Sequence, residues 1–244
     1  MEIEMYSQIE KLQDSNWWYK AKKDLIKRTV ERLDKKGQIL DIGCGTGSNI
    51  IALEKCGSVL GIDISKEAIK YAKSKNKNLV IADAHKIPFK KGSITIALSL
   101  DVMEHLEKDS DFLEEVNSIL GKNGYIIVFV PAFKFLWNDN DVWSHHKKRY
   151  SKKELNDLLN SHGFEIVLSS YWNLLSFLPN FIIATLQKLN RNTRKEVKNN
   201  LIGIPSALNE ILYRLLLLEN FIILSGYEIP IGVSALTIAR AKKS

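Results

Sequence analysis

The stretch "LDIGCGTGSN", residues 40–49, places three glycines directly after a short apolar segment. Gly43, Gly45 and Gly47 form a G-x-G-x-G pattern, and glycine lets a backbone turn tightly and approach a ligand without an intervening side chain. A predicted strand precedes this turn and a predicted helix follows it. The pattern therefore indicates a site for a nucleotide-like cofactor.

Asp41 stands two residues before the first of these glycines and discriminates between two kinds of cofactor. A dinucleotide places its pyrophosphate over such a turn, and a carboxylate at this position repels that anion. S-adenosylmethionine instead brings an ammonium and a sulfonium group to the turn, and a negative charge attracts both. The turn therefore favours a methyl donor over a nicotinamide.

Two further acids stand at the ends of the next two predicted strands. Asp63 ends the second strand, where a carboxylate can accept hydrogen bonds from both hydroxyls of a ribose. Asp83 ends the third strand and is suited to accept a hydrogen bond from an exocyclic amine such as that of adenine. Either acid alone is also a common cap or turn residue, but acids at three successive strand ends, with Asp41 the first, indicate an adenosine group.

Strand and helix signals alternate along the chain and predict its fold class. Apolar segments separated by helices indicate a doubly wound α/β sheet, whose ligands bind beyond the carboxyl ends of the strands. Ser65 is placed to cap one helix, and Ser151 forms a predicted capping box with Glu154 at the start of another. The predicted strands cover residues 38–42, 59–63, 79–82, 94–100, 125–130, 164–172 and 232–241, and the main predicted helices cover 16–35, 48–55, 66–74 and 109–120.

Four segments in this order resemble the motifs of class I S-adenosylmethionine-dependent methyltransferases: "LDIGCGTGSN", "GIDIS", "ADAHKIPF" and "LSLDVMEHL". The resemblance covers roughly residues 38–130. It implies a seven-stranded, Rossmann-like methyltransferase fold with S-adenosyl-L-methionine as cofactor. It also implies a set of cofactor-binding residues, namely Asp41, Gly43, Cys44, Gly45, Gly47, Asp63, Ile64, Asp83, Ala84 and Leu100.

The segment "DVMEHL", residues 101–106, resembles the branch that contains quinone-biosynthesis and many small-molecule O-methyltransferases. The Pro-Pro-aromatic motif of enzymes that methylate amines of nucleic-acid bases is absent from the sequence. A net charge of +7 and a pI near 9.2 are compatible with nucleic acid, a membrane surface or phosphorylated substrates, and charge alone selects none of them. A nucleic-acid partner is therefore not expected.

The early segment "NWWYKAKK", residues 16–23, resembles a leading aromatic and basic helix of part of this family. The resemblance implies that Trp18 covers the cofactor and that Lys22 or Lys23 approaches its carboxylate. Lysine stands where arginine is common, and lysine lacks the planar fork that holds a carboxylate at two points. The alternative is that the aromatic residues pack on the core and the lysines form a solvated face.

A loop of about 20 residues without a regular pattern is predicted after Pro131, a length at which loops are usually functional or disordered. The segment resembles a subgroup pattern of Pro-Ala, Leu-Trp, Asp and Gly-His-x-Arg-Arg-Tyr, in which His145 occupies the usual glycine position. His146 is our candidate base for an alcohol or phenol acceptor; orienting the substrate or bracing the loop are the alternatives. No metal is expected, because adjacent side chains diverge and no cysteine pattern accompanies them. The residues assigned to this substrate-side loop are Trp137, Asp141, Arg149 and Tyr150.

Residues 172–226 form a predicted helical insertion between strands six and seven. Two strongly apolar segments flank the stretch "KLNRNTRKEVKNN", which has five basic residues and one acid, a local charge of +4 (5 − 1). Such helices suggest either a device that rests on anionic lipid, or a groove for a lipid-linked acceptor. The alternative is a helical cap whose apolar faces meet the sheet, each other or a second subunit.

Together these features predict one methyltransferase domain over residues 1–244 with an N-terminal cap helix. The expected reaction is O-methylation of a small molecule or a lipid-linked glycan, with a quinone-type ring as the alternative acceptor; a nicotinamide-dependent reductase is disfavoured by Asp41. Two cysteines without metal-binding spacing and an acidic N-terminus without a signal-peptide pattern predict a cytoplasmic protein, with peripheral attachment to the inner membrane face as an extension. The sequence leaves the oligomeric state open.

Overall fold

The computed structural model describes residue 10 and residues 12–73, 78–189 and 204–242. Seven strands form a single sheet in the order β3-β2-β1-β4-β5-β7-β6. The strands are β1 (Gln38–Ile42), β2 (Ser58–Asp63), β3 (Leu79–Ile81), β4 (Ile94–Leu100), β5 (Leu120–Pro131), β6 (Phe164–Trp172) and β7 (Ser234–Ala241). The predicted seven-stranded α/β fold is confirmed.

Helices cover this sheet and connect its strands. They are α1 (Trp17–Leu33), α2 (Ser48–Leu53), α3 (Lys66–Lys73), α4 (Asp109–Ile119), α5 (Asp139–Trp143), α6 (Lys152–Ser161), α7 (Phe177–Leu189) and α8 (Ser206–Leu224). Asn16 caps α1 by accepting a hydrogen bond from the Trp18 amide at 2.9 Å. Ser151 and Glu154 form the predicted capping box of α6.

The first five strands run parallel, whereas β7 lies antiparallel between β5 and β6. Parallel strands with helices on both faces are buried on both sides, and β4 accordingly has six buried residues among its seven. Two apolar clusters lie on opposite faces of the sheet, one around Phe112 and Leu155 and the other around Leu25 and Phe129. The parallel strands all present their carboxyl ends at one edge, which is where a ligand can bind.

Most boundaries lie within two residues of the sequence prediction, and two larger differences stand out. β5 begins at Leu120 rather than at residue 125, and its register with β4 shifts between Ile94 and Ile96. The segment after Pro131 is not irregular throughout, because it contains a 3-10 turn (Lys134–Leu136) and the short helix α5. Asn138 and Asp141 form a capping box at the start of α5, a local signal that the prediction overlooked.

The insertion between β6 and β7 consists of α7 and α8, as predicted. The greater part of the basic stretch between them, residues 190–200, lies outside the described residues. Helix α8 packs along α1, where the buried Asn220 donates to the Ala21 carbonyl at 2.9 Å and accepts from Trp172 Nε1 at 2.8 Å. Asn209 of the same helix accepts from the Trp17 amide at 2.9 Å. Among the described helices, none has the length and apolar character needed to cross a membrane.

The capping box of α6 gives a test of local stability. Ser151→Ala removes the acceptor for the Glu154 amide, and we expect the free energy of unfolding to fall by about 1 kcal/mol. Urea denaturation followed by circular dichroism measures the change. Ser161→Ala, in the last turn of the same helix, is the matched control and should leave the unfolding midpoint near that of the wild type.

Candidate active site

A cavity of about 530 Å³ opens at the carboxyl ends of β1 and β4. Its walls come from the glycine turn, from α1, from the segment after β4, from the loop after β5 and from the start of α7. The residues that line this cavity include Trp18, Lys22, Asp101, Glu104, His105, Trp143, His146, Arg149, Ser176 and Asn180.

The glycine turn contributes Gly43 and Gly45 to the lining of the cavity. Gly43, Gly45 and Gly47 have φ values of 67°, 52° and 76°, in the left-handed region that favours glycine. A Cβ atom on Gly43 would lie 2.6 Å from Val102 Cγ2, whereas a Cβ on Gly45 would meet nothing within 4 Å. Gly43 is therefore required by packing, and Gly45 leaves open space above the backbone for a ligand.

Asp41 is buried next to this turn, and one of its two carboxyl oxygens lacks a hydrogen-bond partner among the described residues. This oxygen is Oδ2. Burial raises the pKa of Asp41 to about 7, a hydrogen bond with Asn49 and the charge of Lys22 lower it, and the charge of Asp63 raises it. A buried carboxyl group with a free oxygen fits a ligand that brings positive charge, as S-adenosylmethionine does.

The remaining acids of the predicted adenosine site lie at the ends of β2 and β3, outside the lining of the cavity. Asp63 accepts hydrogen bonds from the Gly45 amide at 2.9 Å and the Ser65 amide at 2.8 Å, and burial raises its pKa. Asp83 is exposed and accepts from the amide and the ring of His85. Ile64 is exposed and Ala84 half-buried along the same edge of the sheet. Hence Asp83 and Ile64 lie on an open surface, whereas the buried Asp63 is bonded to the glycine turn.

Trp18 and Lys22 belong to an aromatic and charged cluster on the α1 side of the cavity. Lys22 forms an ion pair with Asp101, directly after β4. Its ammonium nitrogen lies 4.6 Å from the ring centre of Phe129 and 5.1 Å from that of Trp18. Trp18 packs edge-to-face on Trp172, with ring centres 5.7 Å apart. Trp18 thus packs on the core and lines the cavity at once, and any ligand carboxylate would share Lys22 with Asp101.

Asp141 organises the loop after β5 from a fully buried position. Its carboxylate accepts from Arg149 Nε at 2.8 Å and Nη2 at 2.9 Å, and from the Asn138 amide at 2.8 Å. His146 Nδ1 lies 2.8 Å from Asp141 Oδ1. Burial acts to raise the pKa of Asp141, but the hydrogen bonds from His146 and Arg149 and the Arg149 charge outweigh it and hold the pKa below its usual value. Asp141 is therefore ionised at neutral pH.

Arg149 and Tyr150 anchor the loop. Arg149 also donates from Nη1 to the Ala132 carbonyl at 2.9 Å, so Asp141 and this carbonyl engage three of its nitrogens. Tyr150 is buried, and its hydroxyl lies 3.1 Å from each carboxylate oxygen of Asp109. Burial and the Asp109 charge raise the pKa of Tyr150. These hydrogen bonds support a role for Arg149 and Tyr150 in anchoring the loop.

The cavity wall also holds Glu104 and two histidine rings. Glu104 is fully buried and neither carboxylate oxygen has a described hydrogen-bond partner. Burial, followed by the charge of Asp101, raises the pKa of Glu104 well above its usual value. His105 lies edge-to-face with His146 at 5.0 Å, and burial lowers the pKa of His105 to about 4.

Glu104, His105 and His146 are also the residues of this site that could ligate a metal. One ligand-type atom from each lies within 4.8 Å of the others, and His146 Nε2 is 3.9 Å from Glu104 Oε1. Ligands bound at about 2.1 Å to one ion lie roughly 3 to 3.5 Å apart in tetrahedral or cis positions. The cluster is therefore wider than a formed metal site, and the expectation of no metal stays a prediction.

The structure brings some predicted residues together and separates others. His146 and Arg149 line the cavity, whereas Asp141 and Tyr150 lie behind the wall and the half-buried Trp137 is not among the lining residues. Trp143, rather than Trp137, is the tryptophan of this loop that lines the cavity. The sequence analysis assigned no role to Asp101, although its position at the end of β4 is a signal that could have identified it. It also assigned no role to Ser176 and Asn180 of the insertion, for which no local sequence pattern exists.

Comparisons with known proteins agree with this geometry. A family model described as a methyltransferase domain matches residues 40–128. The uncharacterized protein MJ1252 of Methanocaldococcus jannaschii is 30% identical over 217 residues, which cover 76% of this chain and 85% of that protein. The chain belongs to the class I S-adenosylmethionine-dependent methyltransferases.

One further relative by sequence and one solved structure are similar to this chain. The ubiquinone biosynthesis O-methyltransferase of Pelagibacter ubique is 30% identical over 164 residues, covering 64% of this methyltransferase and 57% of that protein. The crystal structure of an S-adenosylmethionine-dependent methyltransferase from Thermotoga maritima superposes with a TM-score of 0.61 at 19% identity, covering 99% of this chain and 96% of that one. The second likeness concerns the fold alone.

The raised pKa of Asp41 gives a test of cofactor binding. Because the cofactor-free carboxyl is largely protonated below pH 7, binding of a cation there must release a proton. We expect the affinity for S-adenosylmethionine to fall as the pH is lowered from 7, approaching about tenfold per unit. Isothermal titration calorimetry in buffers of different ionisation enthalpy measures the proton release.

The matched variants are Asp41→Asn, which should bind weakly and release no proton, and Asp111→Asn on the exposed start of α4. Asp111→Asn should retain the wild-type pH profile. An unchanged profile in Asp41→Asn would show that Asp41 does not face the cofactor charge.

The buried ion pair of the loop gives a test of stability. Asp141→Asn leaves Arg149 buried without a counter-charge, and breaking such a pair costs about 3–5 kcal/mol of unfolding free energy. Since the folded pKa of Asp141 is lowered, this stability is present above the unfolded pKa of about 4 and is lost as the pH falls through the folded value.

Urea denaturation at neutral and acidic pH checks both statements. Asp157→Asn, which removes an exposed partner of Lys153 on α6, is the control and should denature like the wild type. Equal stability of Asp141→Asn and Asp157→Asn at neutral pH would refute the role of Asp141.

Proposed function

We propose that this methyltransferase methylates an oxygen atom of a small molecule or of a lipid-linked glycan, with His146 as the base. The observation that carries the proposal is the pair of Asp141 and His146. Its Nδ1–Oδ1 distance is 2.8 Å, and the His146 ring lines the cavity with only 13% of the side chain exposed.

The chemistry follows from this pair. S-adenosylmethionine supplies a methyl group on a sulfonium centre, which is already activated for in-line displacement. A hydroxyl acceptor must lose its proton as the new carbon–oxygen bond forms, so a base next to the acceptor accelerates the reaction. Alignment of the acceptor and exclusion of water supply the rest.

Asp141 sets the proton position on His146. An ionised carboxylate only accepts hydrogen bonds, so Nδ1 of the neutral imidazole carries the proton and Nε2 is the nitrogen that can take one. Glu104 Oε1 is 3.9 Å from Nε2, which is beyond hydrogen-bond distance. Nε2 is therefore available to an acceptor hydroxyl in the cavity, and the Asp141 charge stabilises the imidazolium that results.

In the proposed complex, the acids at and near the glycine turn would hold the cofactor. Asp41 would face the ammonium group, and Gly43, Cys44, Gly45 and Gly47 would form the backbone cradle beneath it. Asp63 would accept from the ribose hydroxyls, because each of its oxygens keeps a second lone pair beside its present amide bond. Asp83 would accept from adenine, between Ile64 and Ala84.

A quinone-type ring is the second candidate acceptor. The name of the Pelagibacter ubique relative specifies an O-methyltransferase of ubiquinone biosynthesis, and a phenolic hydroxyl also requires a base. The tryptophan rings of Trp143 and Trp18 in the cavity wall provide surfaces on which a planar ring can stack.

The base is tested by His146→Ala. We expect transfer of labelled methyl from S-adenosylmethionine to the hydroxyl compounds of a metabolite and lipid extract to fall by about 100-fold or more. Cofactor binding measured by calorimetry should stay within error of the wild type, because His146 lies on the acceptor side.

His145→Gly is the matched control. His145 is exposed and has a φ of 57°, a conformation that glycine adopts without strain, so this variant should retain activity and should gain slightly in stability. Wild-type turnover in His146→Ala would remove the base assignment.

Removal of metal ions by a chelator distinguishes a mechanism with His146 as the base from a metal-dependent mechanism. A divalent ion at Glu104, His105 and His146 would occupy the ring nitrogen that the proposal assigns to proton transfer. We expect activity to survive dialysis against EDTA. Activity that disappears on chelation and returns with added Mg²⁺ or Zn²⁺ would contradict His146 as the base.

A further inference from the structure

The two helices of the insertion expose apolar side chains that the described part of the chain does not cover. On α7 only Ala184 is buried. Leu178 is 62% exposed, Leu186 53% and Leu189 77%. A helix that served only as a cap would direct such side chains inward, so packing among the described residues does not account for this face.

Helix α8 has the same property on its outer side. Its inner side, with Leu216, Glu219, Asn220 and Ile223, is buried. Its outer side carries apolar residues at intervals of three or four, which is the spacing of one helical stripe. Those exposed residues are Leu208, Ile211, Leu215, Leu218 and Phe221. We define the docking surface as the exposed apolar residues of α7 and α8. Single exposed apolar residues need no explanation, but two neighbouring elements of the chain that each expose several of them indicate an interaction site.

Charge indicates what covers this surface. Helix α7 contains no acid and ends beside Lys188. The chain that leaves α7 and returns to α8 carries, by sequence, four basic residues and one acid between residues 190 and 203, a charge of +3 (4 − 1). An anionic bilayer attracts such a charge next to an apolar face. A second copy of this chain would bring the same positive charge against itself, which disfavours self-association.

The docking surface also adjoins the cavity. Ser176 and Asn180, at the start of α7, line the cavity, while Leu178 and Phe181 between and beside them are exposed. One helix therefore contributes both to the wall of the acceptor cavity and to the apolar surface. A bilayer in contact with α7 would lie beside the cavity mouth.

We infer that α7 and α8 dock on an anionic lipid bilayer and that the hydroxyl acceptor is carried by a lipid of that bilayer. The first statement is independent of the reaction. The second rests on the proposed methylation of oxygen, and it selects the lipid-linked class among the acceptors that the cavity could take.

Vesicle flotation tests the docking surface with the full-length protein. We expect it to float with phosphatidylglycerol vesicles at low salt and to bind phosphatidylcholine vesicles much less. Leu178→Glu and Phe221→Glu place a charge on exposed positions and should each reduce the bound fraction by about tenfold. Val167→Glu is the control, because Val167 is 53% exposed on β6, away from the two helices, and it should float like the wild type.

Three outcomes would overturn the docking surface. They are no flotation at low salt, equal flotation of Phe221→Glu and the wild type, and a wild-type dimer in light scattering that Phe221→Glu converts to a monomer without any vesicle binding. The last would assign the surface to a second copy of the chain.

The acceptor is tested separately by the fate of the labelled methyl group. We expect the label to enter the lipid fraction of vesicles made from a total lipid extract, and Leu178→Glu to reduce this transfer while cofactor binding stays unchanged. Label on water-soluble hydroxyl compounds alone would overturn the lipid acceptor but not methylation of oxygen. Label on nitrogen or carbon in either fraction would overturn the proposed function while leaving the flotation result standing.

Discussion

The buried carboxylate of Asp141 is the interaction on which the acceptor side of the protein depends. A charge removed from water must be neutralised and fully hydrogen-bonded, and Asp141 meets this requirement by gathering Arg149, His146 and the Asn138 amide. The arrangement joins three parts of the loop between β5 and α6, and the bonds from Tyr150 to Asp109 attach the end of that loop to α4. The same requirement orients the His146 ring, so loop stability and the position of the proposed base have one physical origin.

Three acids lie close together in or beside the cavity of a protein that is basic as a whole. The chain carries a net charge of +7, yet Asp41, Asp101 and Glu104 lie in or beside the cavity with Lys22 between them. Burial raises the pKa values of Asp41 and Glu104, which lowers the cost of leaving them without counter-charges. A cationic cofactor would supply the missing positive charge, so these acids are better suited to the bound state than to the free one.

The sequence predicted the parts of the structure that local rules determine. Strands β1, β4 and β6 have the predicted bounds. The caps at Ser65 and Ser151 could be predicted because a cap involves only a few neighbouring residues. The position of β7 between β5 and β6 could not be predicted from the sequence, since strand order depends on contacts between distant segments. For the same reason Trp143 and Asn180 were missed: nothing in their neighbourhoods indicates that the chain brings them to the glycine turn. The pattern of α8 showed its apolar character, but only packing shows which side remains uncovered.

Asn220 has a consequence for the rate at which the enzyme exchanges its cofactor. Helix α1 contributes Trp18 and Lys22 to the wall above the glycine turn, and Asn220 ties that helix to α8 and to Trp172 through buried hydrogen bonds. Lifting α1 from the turn would break these bonds and leave buried polar groups without partners, which is costly. The helix that carries the outer apolar surface therefore also holds α1 in place. If Trp18 and Lys22 cover the bound cofactor, conditions that loosen α8 would shorten its residence time without changing any group that contacts it.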